Sequence, residues 1–214
     1  MAPPTHILAV HATPIEGSRV ASTWPTTLEL GVGKSSAAAK LAVELATTQP
    51  EAVLIFGVCG AHRVERTPDR LKVGDLCLAD SDLLADEGAM TEDGFSSLAD
   101  LGIGEVGPFK ADPELTRAAA NILGGIPTVS AATVSTCSAT NELAQTSYQR
   151  TKSVIESMEG AAAALVCRRY DIPFLQLRCV SNFTGDRQSA QWDLELAADR
   201  VQTAALQLLR GLDP

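Results

Sequence analysis

The 214-residue chain carries a formal net charge of −9, with 45% hydrophobic residues, 20% charged residues and only 4% aromatics. A chain of this length suits one domain, residues 1–214, that buries roughly 70% of its unfolded surface around an aliphatic, alanine-rich core. The acidic balance has no basic run, which excludes a nucleic-acid backbone as partner, since phosphate binding needs clustered Lys and Arg.

The opening residues Met1-Ala2-Pro3-Pro4-Thr5-His6 lack a positive leader region. The apolar run behind them is too short for a signal peptide or a membrane span. Five cysteines (Cys59, Cys77, Cys137, Cys167, Cys179) are odd in number, never spaced Cys-x-x-Cys, and set in apolar runs. They predict reduced, buried thiols in a cytoplasmic protein. Three histidines far from any cysteine pair give no metal-ligand spacing, and no metal or organic cofactor is expected.

In chain order, residues 6–11 read as a buried strand and 28–32 as another, running into Gly31-Val32-Gly33-Lys34. Residues 35–47 have the pattern of a helix capped by Ser35 or Ser36. Residues 52–56 form a purely apolar strand that ends at Gly57-Val58-Cys59-Gly60-Ala61, and 73–79 a strand introduced by a Gly74-Asp75 turn. The polar, Gly-rich stretch 80–108 predicts a long surface excursion of the kind that carries binding loops. Residues 112–123 predict a helix with Pro113 at its first position. Then come a strand at 128–134, a helix at 141–151, a buried helix at 158–170, a buried strand at 174–180 and an amphipathic helix at 191–209.

Continuous apolar strands alternating with helices predict an α/β fold, a three-layer α/β/α sandwich around a mixed, mostly parallel sheet. Ligands in such sheets sit beyond the carboxyl ends of the strands. Candidate site segments are therefore 11–16, 57–61, 135–140 and 181–182.

Several motifs fail. Gly33-Lys34-Ser35 resembles the end of a phosphate-binding loop, but Leu28 stands where its first glycine belongs. No Gly-x-Ser-x-Gly elbow exists, and no histidine follows Ser135, Ser138 or Ser181. His6 and His11, on or at the end of a strand, read as structural.

Three polar residues remain at element ends: Glu16, Glu159 and Asn182. Each has a plain structural alternative: a solvated loop carboxylate for Glu16, a charge on a helix dipole for Glu159, a turn residue for Asn182. Burying such groups without partners costs about 1–3 kcal/mol or more, so together they suggest a shared pocket.

Five segments occur in the order seen in the nucleoside phosphorylase and nucleosidase superfamily, which includes the methylthioadenosine/S-adenosylhomocysteine nucleosidases. They are Ala9-Val10-His11-Ala12 with Glu16; Gly31-Val32-Gly33-Lys34; Leu71-Lys72-Val73-Gly74-Asp75; Ser157-Met158-Glu159-Gly160-Ala161; and Val180-Ser181-Asn182. The resemblance spans about residues 6–210. Within the superfamily, Thr91-Glu92-Asp93-Gly94-Phe95, Val134-Ser135-Thr136-Cys137-Ser138, Glu156-Ser157-Met158-Glu159-Gly160 and Ser181-Asn182-Phe183 most resemble the futalosine hydrolases of the alternative menaquinone pathway.

The resemblance implies hydrolysis of the N-ribosidic bond of futalosine, releasing hypoxanthine and dehypoxanthine futalosine. Glu16 would activate water and Glu159 would grip the ribose hydroxyls, with Met158 under the sugar and Cys59, Gly60 and Phe183 among the binding residues. Asn182 departs from the aspartate that the adenine-specific nucleosidases carry at the matching place. An amide protonates nothing but can donate to O6 and accept from a protonated N7, which suits a 6-oxopurine. The N7 proton would then arrive through water, or from Asp186.

The segment 135–140 lacks the aromatic that stacks on adenine in those relatives, leaving Phe183 or Trp192 as substitutes. Alternatives are a methylthioadenosine-type nucleosidase, a phosphorylase drawing on Arg19 and Arg63 for phosphate, and a non-catalytic purine-binding module. The resemblance also implies a homo-oligomer, and the partners expected are a purine nucleoside and water, with no nucleic acid or membrane.

Overall fold

The apolar run Ile7–His11 forms β1, buried along its whole length. Successive side chains of a strand point to opposite faces. Ile7 and Ala9 accordingly enter one apolar cluster, and Leu8 and Val10 enter another on the far face. The computed structural model describes residues 6–63, 71–186 and 192–212. After β1 come α1 (Pro14–Ala21), β2 (Thr27–Glu29), α2 (Lys34–Thr47), β3 (Ala52–Ala61) and β4 (Leu76–Leu84). A hairpin of β5 (Gly88–Thr91) and β6 (Gly94–Ser97) precedes β7 (Phe109–Lys110), α3 (Pro113–Ile122), β8 (Thr128–Thr133) and α4 (Asn141–Thr151). The chain continues through β9 (Ile155–Ser157), α5 (Gly160–Arg169), β10 (Phe174–Phe183) and α6 (Leu194–Leu212).

The sheet is mixed and mostly parallel. Parallel pairs join β1 to β2 and β3, β3 to β10, and β8 to β4 and β9, while β10–β4, β3–β9 and β4–β7 are antiparallel. Side chains of α1, α3 and α6 pack on one face, and those of α2 and α5 on the other, as a three-layer α/β/α sandwich requires. The pairings β3–β10–β4–β8–β9–β3 also close a ring of five strands. Cys59, Cys77, Ala79, Ala131, Ile155 and Val180, drawn from all five strands, form a separate apolar cluster.

Several elements differ from expectation for definable reasons. Pro14–Ala21 forms α1 instead of a loop, and the Thr13-x-x-Glu16 pattern is a capping-box signal for its start. The cap of α2 is Gly33, not Ser35 or Ser36, and its φ of 90° is one that glycine adopts without steric cost. Strands β3 and β10 run past their predicted ends, because Gly57 pairs with Arg178, and beyond a bulge at Ser181 Asn182 pairs with Gly60 and Phe183 with Ala61. The stretch 80–108 is only partly an excursion, since β4 continues to Leu84 and Glu92-Asp93 turns a hairpin closed by Thr91 and Gly94. The short strand β9 lay between two predicted helices. The predicted start of the last helix, Gln191, falls outside the described residues, and the helix runs on to Leu212. Four cysteines are buried as expected, but Cys137 is exposed, because residues 135–140 arch over a cavity instead of entering the core.

Candidate active site

A cavity of about 300 Å³ opens beyond the carboxyl ends of β1, β3, β8, β9 and β10. Its wall includes Glu16, Cys59, Gly60, Met158, Glu159 and Asn182, so six of the seven residues singled out from the sequence converge there. Phe183 does not. Asn182 and Thr184 face the cavity, and strand alternation turns Phe183 the other way, into the cluster around Cys59 and Val180 and beneath the Arg63 guanidinium at 5.0 Å. Trp192, the other aromatic candidate, stands on the cavity wall, 46% exposed. Asp186 is exposed and is not among the lining residues.

Glu16 is held in place by its own helix start. Its Oε2 accepts from the Thr13 N–H at 3.0 Å and the Thr13 hydroxyl at 2.7 Å, and its Oε1 accepts from the Val58 N–H at 2.9 Å. Far from being a solvated loop carboxylate, it is 5% exposed. His11 shapes the turn before it through Nδ1 and the Thr13 carbonyl, 2.9 Å apart, and its ring packs over Gly17. Beside Glu16 lies Arg178 of β10, the largest fully buried side chain. A Cβ on Gly57 would come within 2.6 Å of Glu16 Oε1 and 3.0 Å of Arg178 Nη1, so a glycine is needed where the two side chains meet. Arg178 makes one long contact, from Nη1 to the Val58 carbonyl at 3.4 Å, while Nε and Nη2 have no partner among the described residues. A buried guanidinium with unused donors, next to a carboxylate and close to a cavity, is equipped to hold a polar ligand or water.

Glu159 precedes α5 and reaches across to the start of α2, where the Gly33 N–H donates to its Oε1 at 2.9 Å. Burial raises its pKa, opposed by the nearby Arg178 and by the Gly33 hydrogen bond. This gives Gly31-Val32-Gly33-Lys34 a role beyond a tight turn. Gly33 positions Glu159, and Lys34 pairs with Asp86 at 2.5 Å, whose other oxygen accepts from the Ser135 N–H at 2.6 Å. Under Glu159, Asp82 accepts from Thr133 Oγ1 at 2.9 Å and Gln176 Nε2 at 3.0 Å, and the Ala161 N–H donates to the same Thr133 hydroxyl at 2.8 Å. Gly160 lets α5 settle on this node, since a Cβ there would sit 2.1 Å from Asp82 Oδ2. Burial pushes the Asp82 carboxyl up to about 6.

At the other end of the cavity Asn182 is 8% exposed. The Ser181 hydroxyl donates to its Oδ1 at 2.8 Å and its Nδ2 donates to the Phe183 carbonyl at 3.0 Å. Nearby, Glu156 accepts from Ser138 and stands 3.9 Å from the buried His62, whose pKa burial lowers. Cys137 donates its thiol to the Met158 sulfur at 3.4 Å, beside the cavity. Arg19 is turned away and tied to Asp199 and Thr203 of α6. Arg63 is likewise not among the lining residues.

Arg178 and Glu156 are the functional candidates that sequence reasoning left without roles. A charged residue inside the apolar strand 174–180 was the available signal for Arg178. For Glu156 it was the carboxylate three residues before Glu159.

Residues 10–212 match the model of the phosphorylase superfamily. The chain is 33% identical over 188 residues to the futalosine hydrolase of Thermus thermophilus, covering 85% of this chain and 80% of that one. It is 35% identical over 170 residues to the futalosine hydrolase of Streptomyces coelicolor, covering 77% and 70%. Among solved structures it superposes on a methylthioadenosine/S-adenosylhomocysteine nucleosidase from Colwellia psychrerythraea in complex with adenine, with a TM-score of 0.82 at 20% identity over 99% of this chain and 98% of that one. A futalosine hydrolase mutant of Helicobacter pylori gives 0.79 at 17% identity, over 95% and 98%. Sequence and fold agree with the converging carboxylates, and the chain belongs to the phosphorylase superfamily, among its N-glycosyl hydrolases.

Proposed function

We propose that the chain hydrolyses the N-ribosidic bond of futalosine, releasing hypoxanthine and dehypoxanthine futalosine. The observation that carries this is the convergence of two buried carboxylates, Glu16 and Glu159, with an amide, Asn182, on one cavity. Cleavage of such a bond passes through an oxocarbenium-like transition state. Glu16 takes the proton of the attacking water, and the buried Arg178 guanidinium supplies a positive charge beside the carboxylate. Glu159 has one oxygen committed to Gly33 and the other available to the ribose hydroxyls, close to where positive charge develops. Met158 packs beneath the sugar. Asn182 donates to O6 and accepts from N7 once water has protonated it.

Hydrolysis is favoured over phosphorolysis by the wall itself. Glu16 occupies the space next to Arg178 and repels a phosphate, while Arg19 is committed to Asp199. The five cysteines are all free, which suits a reducing cytoplasm, and no described helix is long and apolar enough to cross a membrane. We expect a homo-oligomer, because Ile15, Val32, Trp192 and Leu194 leave an exposed apolar rim on the cavity.

The test is incubation with futalosine, inosine and methylthioadenosine, with and without phosphate, followed by chromatography of the free bases. Hypoxanthine from futalosine, independent of phosphate, is the expected result. Adenine released faster from methylthioadenosine would move the chain to the adenine-specific nucleosidases.

A further inference from the structure

Glu156 is a buried polar group for which the chemistry above has no use. It lies on β9 directly opposite Gly60 of β3, and Gly60 lies directly opposite Asn182 of β10. The two side chains therefore flank one glycine, each on a strand about 5 Å from it. All three residues line the cavity. A Cβ on Gly60 would approach Asn182 Nδ2 to 3.4 Å and Thr184 Cγ2 to 3.1 Å, so its absence leaves bare backbone between amide and carboxylate. That is the footing a planar base needs.

The carboxylate accepts from the Ser138 N–H at 2.8 Å, the Ser138 hydroxyl at 2.6 Å and the Ser147 hydroxyl at 3.2 Å. With about four lone-pair positions on a carboxylate, one is left over. His62 does not take it. Its Nε2 is 3.9 Å away, beyond hydrogen-bond reach, and has no partner among the described residues, while Nδ1 faces the Thr184 hydroxyl at 3.0 Å.

We infer that Glu156 is a specificity-determining residue that accepts the N1–H of a 6-oxopurine, so that Asn182 and Glu156 together read the edge of the base. The inference rests on the nucleosidase reading above and deepens it. Along that edge a 6-oxopurine presents N7, the O6 acceptor and the N1–H donor, whereas a 6-aminopurine presents N7, an amino donor and the N1 acceptor. An amide suits either edge if it can turn over, which for Asn182 costs its bond to the Phe183 carbonyl. A carboxylate cannot, because it only accepts. Facing the N1 of adenine, Glu156 would set lone pair against lone pair, and that mismatch adds to the selection made by Asn182.

The experiment compares base release from futalosine, its 6-amino counterpart and its N1-methyl derivative by the wild type and Glu156→Gln. The wild type should favour futalosine over both analogues by about 10²-fold in kcat/KM, the scale of one buried unpaired polar group. Glutamine can donate to N1 of the 6-amino compound, so Glu156→Gln should cut the futalosine-to-amino ratio by about ten-fold or more.

Equal loss on both substrates in Glu156→Gln would reduce the residue to a loop support and overturn the inference. So would a wild type that tolerates N1-methylation, a test that needs no variant to fold. A wild type that releases base from none of the three overturns the hydrolase reading, and the inference with it. Release from futalosine and its amino counterpart at similar rates overturns the inference only.

Discussion

The two ends of the cavity are built on different principles. At the ribose end, Glu16, Glu159 and Arg178 bury three charges, and Asp82 lies just behind them. Each charge costs several kcal/mol to desolvate and persists because opposite charges and backbone N–H groups surround it. At the base end, Asn182, Ser181, Thr184, Ser138 and His62 rely on hydrogen-bonding polar groups, with Glu156 as the carboxylate among them. On the proposed reading, charge is concentrated where the transition state acquires charge, and directional hydrogen bonds where a planar base must be told from its near relatives. Damage at the first end should therefore fall on turnover, and damage at the second on substrate choice.

The largest effect is expected from Glu16→Gln. The amide keeps the shape of the side chain, although its NH2 must face either the Val58 N–H or the Thr13 donors, and it cannot take a proton from water, so kcat should fall by about 10²–10⁴-fold with a smaller change in KM. A loss confined to KM would show that Glu16 binds substrate and does not activate water.

Arg178→Lys should rank next, at roughly 10–100-fold in kcat, in line with the loss of one preorganised donor. Lysine keeps a positive charge but loses the planar fork. Because burial raises the Glu159 pKa and Arg178 only partly offsets it, the wild-type acid limb of kcat/KM should lie above the ordinary carboxylate range if protonation of Glu159 releases the hold on ribose proposed for it. A limb at the ordinary carboxylate value would separate Glu159 from the rate.

Asn182→Asp tests the other end. It should lower kcat/KM on futalosine by about ten-fold, because a carboxylate does not donate to O6, and raise it on the 6-amino counterpart. A uniform loss on both would mean that Asn182 supports its strand without choosing the base.

The contrast between the ends also explains what the sequence could disclose. Glu159 and Asn182 were legible because a polar residue at the edge of an apolar element has few plain explanations. Layer order and a mostly parallel sheet followed from strands buried on both faces, such as 52–56. Closure of β3, β10, β4, β8 and β9 into a ring was hidden, because it depends on β9, three residues long, and on pairing between strands distant in sequence. Phe183 was misplaced through register, since Asn182 and Phe183 extend β10 past a bulge at Ser181 and point to opposite sides. Arg178 lay in plain sight but was read with its apolar neighbours. Its role emerges only from the approach of Glu16, 162 positions earlier in the chain.

The smallest effect on turnover, and the sharpest on stability, belongs to Asp82, which touches no cavity surface but braces the start of α5 through Thr133. Burial keeps its proton on up to about pH 6 in the folded chain, against an ordinary value of 3.8. Between those two values the folded state holds more protons than the unfolded one, so raising the pH favours unfolding. This contribution is fully present below about pH 4, is lost as the pH rises to about 6, and is flat above, amounting to at most about 3 kcal/mol. Asp82→Asn cannot titrate, so the stability of the wild type relative to the variant should fall across that window in chemical denaturation followed from pH 4 to pH 7. If the difference between the two proteins is constant over the window, Asp82 is ionised throughout, and the ribose end rests on four buried charges instead of three.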